Sequence, residues 1–194
     1  MRFFWVLMCI ALSSCCGYQF GQGMLARQYS TVTVPYICGD KTGEMTYALI
    51  KEISRSGALS YRNCSADLSL NVTIIDLYEN NIGYRYHCND NSGDLEKNGC
   101  HPHHFSDSII PTETRLTAIA EISVIDTSTG SLKLGPGRIK ASVDYDHDYY
   151  FSPDGINQKS LGQLTNMESA KEAVIRPLSE VLAQKIVDYV IHSW

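Results

Sequence analysis

Cys88, Cys100, His101, His103 and His104 gather five donors for a soft metal in one stretch of the chain. Zinc takes four such groups, and two histidines two apart on a strand would face the same way. No Cys-x-x-Cys pair is present, and Pro102 lies inside the run. The better reading is a loop closed by a Cys88–Cys100 disulfide that carries exposed histidines, with no metal. Asp144, Asp146, Asp148 and Asp154 form a second candidate set. Hard cations take oxygen ligands, and Asp-x-Asp-x-Asp has the look of a calcium loop. The glycine at the sixth position and the closing glutamate are both missing, so a solvated acidic turn fits better. Tyr145, Tyr149, Tyr150 and Phe151 are interleaved with it. No glycine-rich phosphate loop and no serine-centred elbow occurs. The expectation is a protein that is not an enzyme and uses no cofactor.

The N-terminus carries a different chemistry. Met1-Arg2 precedes an uncharged, mostly apolar run from Phe3 to Leu12, followed by Ser13-Ser14-Cys15. A basic start, a short apolar run and small residues before a cut site describe a secretory signal peptide. The run is shorter than the roughly 20 apolar residues a transmembrane helix needs. The cysteine after Leu-Ser-Ser resembles a bacterial lipobox, which makes Cys15 the acylated first residue of the mature chain and Cys16 the second choice. Two or more acyl chains give stable membrane anchoring at about 0.8 kcal/mol per buried methylene. No Asp follows at the second position, which by analogy points to the outer membrane, on its periplasmic side.

Beyond a secretory signal the compartment permits disulfides. Besides Cys88 and Cys100, Cys38 and Cys64 each sit beside an expected strand and form a second candidate pair. Connectivity is not readable from spacing. The net charge of −5, from 16 basic and 21 acidic residues, argues against nucleic acid as a partner, which calls for a basic footprint.

Three segments must position these groups: a signal peptide over residues 1–14, a lipid anchor and tether over 15–28, and one domain over 29–194. Thr31–Ile37 alternates as a half-buried strand does. Glu44–Ser56 has helical spacing, with Gly57 as its stop. Leu68, Leu70, Val72 and Ile74 alternate with polar residues, and the pattern resumes at Ile82 after Asn80-Asn81, as one bulged strand or two. Asn89–Ser108 reads as a long loop. Arg115–Ile125 and Arg138–Tyr145 alternate on either side of a turn at Asp126–Gly130. Residues 167–191 form a final helix with Asn166 as its cap, and Pro177 should kink or split it. The order β-α-β-β-β-α implies an α+β two-layer roll. Its sheet is about four-stranded, mixed or mostly antiparallel, with two helices on one face.

These pieces together resemble the LPS-assembly lipoprotein family of the LptE type. Cys16-Gly17-Tyr18-Gln19-Phe20 is similar to the family's start, although the family's acylated cysteine is itself followed by Gly. Thr31–Ile37 is similar to its first strand, and Gly39–Thr46 to the connection into its helix. Ser65–Leu70 matches the entry to strand two, and Ile82–Arg85 and Asp126–Gly130 match two further pieces. The resemblance runs from Cys15 to about Tyr145, and the terminal helix is compatible with it.

The resemblance implies a lipoprotein that sits in the lumen of an LptD-type outer-membrane β-barrel. There it helps the barrel assemble and assists lipopolysaccharide insertion at the outer leaflet. It also implies lipopolysaccharide binding through basic residues near one end of the roll. Phosphates need cationic side chains the lipid can reach. Lys133, Arg138 and Lys140, around the last hairpin, and Arg85 and Arg115, flanking the long loop, are the candidates. The plainer reading is that they are solvated strand-edge charges. Two other functions fit a small lipoprotein: regulation of a cell-wall synthase from the periplasm, or metal binding at the surface. The tether is about 13 residues and reaches at most roughly 3.6 Å per residue, which favours work at the membrane.

Overall fold

A computed structural model describes residues 24–87, 108–146 and 160–193. A short helix α1 (Met24–Gln28) leads into strand β1 (Thr31–Thr33), helix α2 (Glu44–Ser56) and strand β2 (Ser60–Tyr61). Three long elements follow the β1-α2-β2 unit: strands β3 (Leu68–His87), β4 (Ser108–Asp126) and β5 (Leu132–Asp146). Helix α3 (Ser160–His192) closes the chain. The five strands make one sheet in the order β2-β1-β3-β4-β5. β1 pairs in parallel with both β2 and β3, and the β3-β4-β5 meander is antiparallel.

Alternation decides which face is covered. Leu68, Leu70 and Val72 on β3, Leu116 to Val124 at even positions on β4, and Ile139 and Ala141 on β5 are buried together. Successive strand side chains point to opposite faces, so these residues form one inner face. Met45, Ala48, Leu49 and Ile53 of α2, and Val174, Leu178, Leu182, Ile186 and Val190 of α3, complete the same core. Both helices therefore lie on one side of the sheet, as an α+β two-layer roll requires, and among the described residues no element covers the other face.

Helix α2 starts without help from its own N-cap, because Gly43 has no side chain (φ 80°). Asp40, three residues earlier and buried, takes that role. Its carboxylate accepts from Gly43 N and Thr46 N, both at 2.9 Å, and from the Thr46 hydroxyl at 2.9 Å. These are the donors that a helix start leaves orphaned. Gly57 at φ 66° ends the helix in the left-handed conformation that glycine accepts.

Several expectations change. The sheet has five strands rather than about four, because the two-residue β2 is too short to show a period. Met24–Gln28, read as tether, is helical. The first strand stops at Thr33 instead of Ile37, since Pro35 has no N–H to give a ladder; pairing resumes only at an isolated bridge from Cys38 to Thr73. Of the two readings of Leu68 onward, one bulged strand holds: β3 passes through Asn80-Asn81 with register shifts at Ile74/Asp76, Asn81/Gly83 and Gly83/Tyr84. Ser108 is the first residue of β4 rather than loop. Helix α3 begins at Ser160, which puts Asn166 inside it rather than at a cap, and Pro177 does not split it.

Cys38 and Cys64 are free and exposed, which corrects their expected pairing with each other. Thr33 Oγ1 donates to Asn63 O at 3.4 Å, so Cys64 lies at the level of Thr33 and its partner Ser69. Cys38 lies opposite Thr73. At about 3.3 Å per residue, the two levels are roughly 13 Å apart, beyond the ~7 Å Cα separation a disulfide spans.

Candidate functional site

The bare face of the sheet carries most of the expected cations. On β4, Arg115 and Glu121 fall at odd positions, opposite in direction to the buried even ones. The register sets Arg115 against Asp144, Ile119 against Lys140 and Glu121 against Arg138. Directly opposed residues share a face, so Arg115, Arg138 and Lys140 stand on one outer surface together with Glu121 and Asp144.

Charge on that surface is largely cancelled locally. Arg115 forms a fork with Asp144, Nε to Oδ1 at 2.6 Å and Nη2 to Oδ2 at 2.8 Å. The pair stabilises both charges: Asp144 raises the guanidinium above its ordinary value, and Arg115 holds the carboxyl below its own. Arg138 Nε lies 3.6 Å from Glu121 Oε2, with both side chains well exposed. Among the described residues Lys140 has no carboxylate partner; its ammonium sits 5.9 Å from the centre of the Tyr78 ring on β3, a cation–π distance. Beside it, Lys185 of α3 reaches round the sheet edge and donates to Lys140 O at 3.0 Å. Lys185 is absent from the expected set. Its helical position next to buried Ile186 points to a solvated lysine, and nothing in the spacing places it beside β5.

Lys133 belongs elsewhere. It lies at the end of the roll where the chain enters, 3.5 Å from Asp126 Oδ2 and 5.9 Å from the Tyr29 ring centre. Asp126 accepts from the Tyr29 hydroxyl (2.9 Å), the Ser128 hydroxyl (2.7 Å) and the backbone N–H groups of Ser128 and Thr129. Those bonds, the Ser128 hydroxyl first and Tyr29 next, hold the Asp126 carboxyl far below the usual carboxylate range. Tyr29 in turn keeps the Lys133 ammonium above its ordinary value.

Asp67 ties the same end. It accepts from the Thr31 hydroxyl (2.8 Å) and from the N–H and hydroxyl of Ser30, and the Thr31 hydroxyl contributes most to lowering its value. An open cleft lined by Tyr29, Ser60, Ser65 and Ser128 lies over these groups. Its carboxylates are already engaged in holding the fold.

Arg85 lies in β3 opposite Ile110, well beyond the other cations along the ribbon. The structure thus brings Arg115, Arg138 and Lys140 to one face, and separates Lys133 and Arg85 from them. Cys15, Cys16, Cys88, Cys100, His101, His103, His104, Asp148 and Asp154 lie outside the described residues, as do Tyr149, Tyr150 and Phe151. Among the described residues no three or more His, Cys, Asp or Glu side chains are grouped to hold a metal. Among the same residues no helix is long and apolar enough to cross a membrane.

Comparison with known proteins gives the chain a family. Solved structures with similar architecture include a minor lipoprotein from Acinetobacter baumannii. It is 14% identical, with 84% of this chain and 90% of that one covered and a TM-score of 0.46. Lipoprotein B from Nitrosomonas europaea is 11% identical, with 84% and 83% covered and a TM-score of 0.45. The rare lipoprotein B from Shewanella oneidensis is 13% identical, with 81% and 89% covered and a TM-score of 0.39. No curated protein matches the chain. The lipopolysaccharide-assembly family LptE, in contrast, matches residues 29–190, from the tyrosine that anchors the entering chain to the last buried turn of α3. With the whole roll inside that match, the chain belongs to the LptE lipopolysaccharide-assembly family.

Proposed function

We propose that this protein is an outer-membrane lipoprotein, acylated at Cys15 or Cys16. In this reading it plugs and helps assemble an LptD-type β-barrel and assists lipopolysaccharide insertion at the outer leaflet. The observation that carries the reading is the family match across residues 29–190. The role is non-enzymatic: positioning a barrel and meeting an anionic lipid need complementary surface, not a nucleophile.

The lipopolysaccharide contact is assigned to the bare face, centred on Lys140. Among the described residues its ammonium has no carboxylate to give up, whereas Arg115 must surrender a two-bond partner before it can take a phosphate. Arg138 lies between these cases, since an exposed bridge at 3.6 Å contributes little and exchanges readily. Lys185 and the Tyr78 ring complete the surface round Lys140.

Depletion in the native bacterium is expected to remove lipopolysaccharide from the outer leaflet, and the barrel is expected to co-purify with the tagged chain. Lys140→Glu is expected to weaken lipopolysaccharide binding roughly tenfold, about 1.4 kcal/mol, with the barrel still captured. Arg115→Ala is expected to change binding less. Normal surface lipopolysaccharide after depletion would reject the function, and unaltered binding by Lys140→Glu would reject the assigned face.

A further inference from the structure

The two edges of the sheet are treated very differently. β5, at one edge, contains Pro136 and the lysines Lys133 and Lys140, and Lys185 caps the Lys140 carbonyl. Proline and lysine are the usual means of blocking an added strand. β3 becomes the opposite edge halfway along its length. Ile74 N donates to Cys38 O at 2.9 Å, and among the described residues nothing pairs with that side of β3 beyond this point. From Asp76 to Tyr84 one side of the backbone faces β4, and among the described residues the other is open. This stretch contains no lysine and no proline.

Its side chains are equally unguarded. Ile75, Leu77, Ile82 and Tyr84 are large apolar groups left 47%, 45%, 37% and 54% exposed. Tyr36, 64% exposed, lies two residues before Cys38, where the neighbouring segment leaves the edge. Among the described residues the carboxylate of Asp76, between Ile75 and Leu77, forms no hydrogen bond or ion pair. The register shifts at Ile74/Asp76 and Asn81/Gly83 bracket a regular stretch, Asp76–Asn81, and limit how long an added strand can be.

An open ladder is matched only by another polypeptide backbone, with donors and acceptors at the strand repeat. The unpaired carboxylate of Asp76 favours a basic residue opposite it. A closed barrel wall offers no free edge, so the occupant must be a segment outside the wall. We propose that the Asp76–Asn81 edge of β3 docks an extended, non-wall segment of the barrel subunit, with a basic residue among apolar ones. This rests on the reading that a barrel is the partner.

The test places a photo-reactive residue singly at Asp76, Leu77 and Asn80, with Ser142 on the outer face of β5 as a reference site, in the full-length lipoprotein in intact cells. Captured peptides are sequenced by mass spectrometry. The three edge sites are expected to capture neighbouring positions of one barrel segment, in order along it. Asp76→Arg, whose melting temperature should stay unchanged, is expected to cut capture at Leu77 at least fivefold. Reversing the charge of the captured basic residue is expected to restore it. Capture of the barrel at Ser142 but not at the edge would overturn the docking strand and leave the proposed function standing. So would edge capture of this chain's own residues 88–107 or of a second copy. Absence of the barrel from all four sites would overturn both.

Discussion

Asp126 shows how much one side chain can hold when every donor around it converges. It closes the β4–β5 turn through Ser128 and Thr129, and reaches Tyr29 and Lys133 across the entering chain. The turn was legible in Asp126–Gly130, a sequence that favours tight reversal. The bond to Tyr29 was not, because it joins residues 97 apart, and nothing local marks Tyr29 as more than the residue before a strand. Arg115 and Asp144 make the same point differently. One stood among cations for a phosphate and the other among carboxylates for calcium, and the register sets them against each other. The Asp126 carboxyl lies below its ordinary value of about 3.9, so the folded state binds its proton more weakly than the unfolded state. Its contribution to stability is therefore complete above that value and is lost as pH falls through and below it. Asp126→Asn is expected to lower the melting temperature at pH 7, and the gap from wild type should close as pH falls below about 4. A gap that stays constant in a melting series across that range would refute the assigned network.

Elements were legible where a period ran long enough to be seen. Val32, Leu68 to Val72 and Leu116 to Val124 alternate and become strands, and Met45, Leu49 and Ile53 recur at helical spacing and become the buried stripe of α2. The two residues of β2 contain no period, and parallel pairing with β1 is a tertiary event that β2's own sequence does not announce. In α3 the buried side includes Ala183, Val187 and Val190, whereas Lys185 and Tyr189 stay exposed. The helix packs on α2 and on β5 at different places, so no single stripe describes it. Pro177 illustrates the same competition. It removes one backbone donor and crowds the carbonyl of Ala173, yet the helix continues because Val174, Leu178 and Leu182 on both sides of it are buried. Packing outweighs local preference here, and that makes the cost measurable. Pro177→Ala is expected to raise stability by about 1 kcal/mol or more, up to the ~3 kcal/mol that separates proline from alanine in a helix interior. Urea unfolding would read the gain as a higher midpoint at unchanged slope, and a lower midpoint would mean the core depends on the proline's geometry.

The whole molecule is uneven along its long axis, and this was the least legible property. β3 has 20 residues and β4 has 19, about 65 Å of ribbon at 3.3 Å per residue. The buried residues of β3 end at Val72, and those of the described part of β4 begin at Thr114. Past Asn81, the register partner of Thr114, the alternation continues through Ile82 and Tyr84, which stay 37% and 54% exposed. Period alone cannot separate a strand lying over a core from one that has left it. The entering chain, Asp67, Asp126 and the β4–β5 turn gather at the opposite, packed end. The protein therefore has a consolidated end around Tyr29–Thr31 and an extended ribbon directed away from it. Stability should divide along the same line, since segments with few buried contacts open locally below the global free energy. Amides of Leu68–Val72 and Leu116–Val124 are expected to exchange with solvent only through global unfolding. Those of Ile82–Tyr84, past the last buried partner on β4, should exchange orders of magnitude faster at the same denaturant concentration, although both belong to the same two strands. Equal protection along β3 in native-state hydrogen exchange would mean that the ribbon carries support of its own. The polarity also explains why the open edge and the exposed apolar groups occur together: among the described residues, the far part of the ribbon has one backbone side unpaired and its apolar groups uncovered, which an added strand would cover.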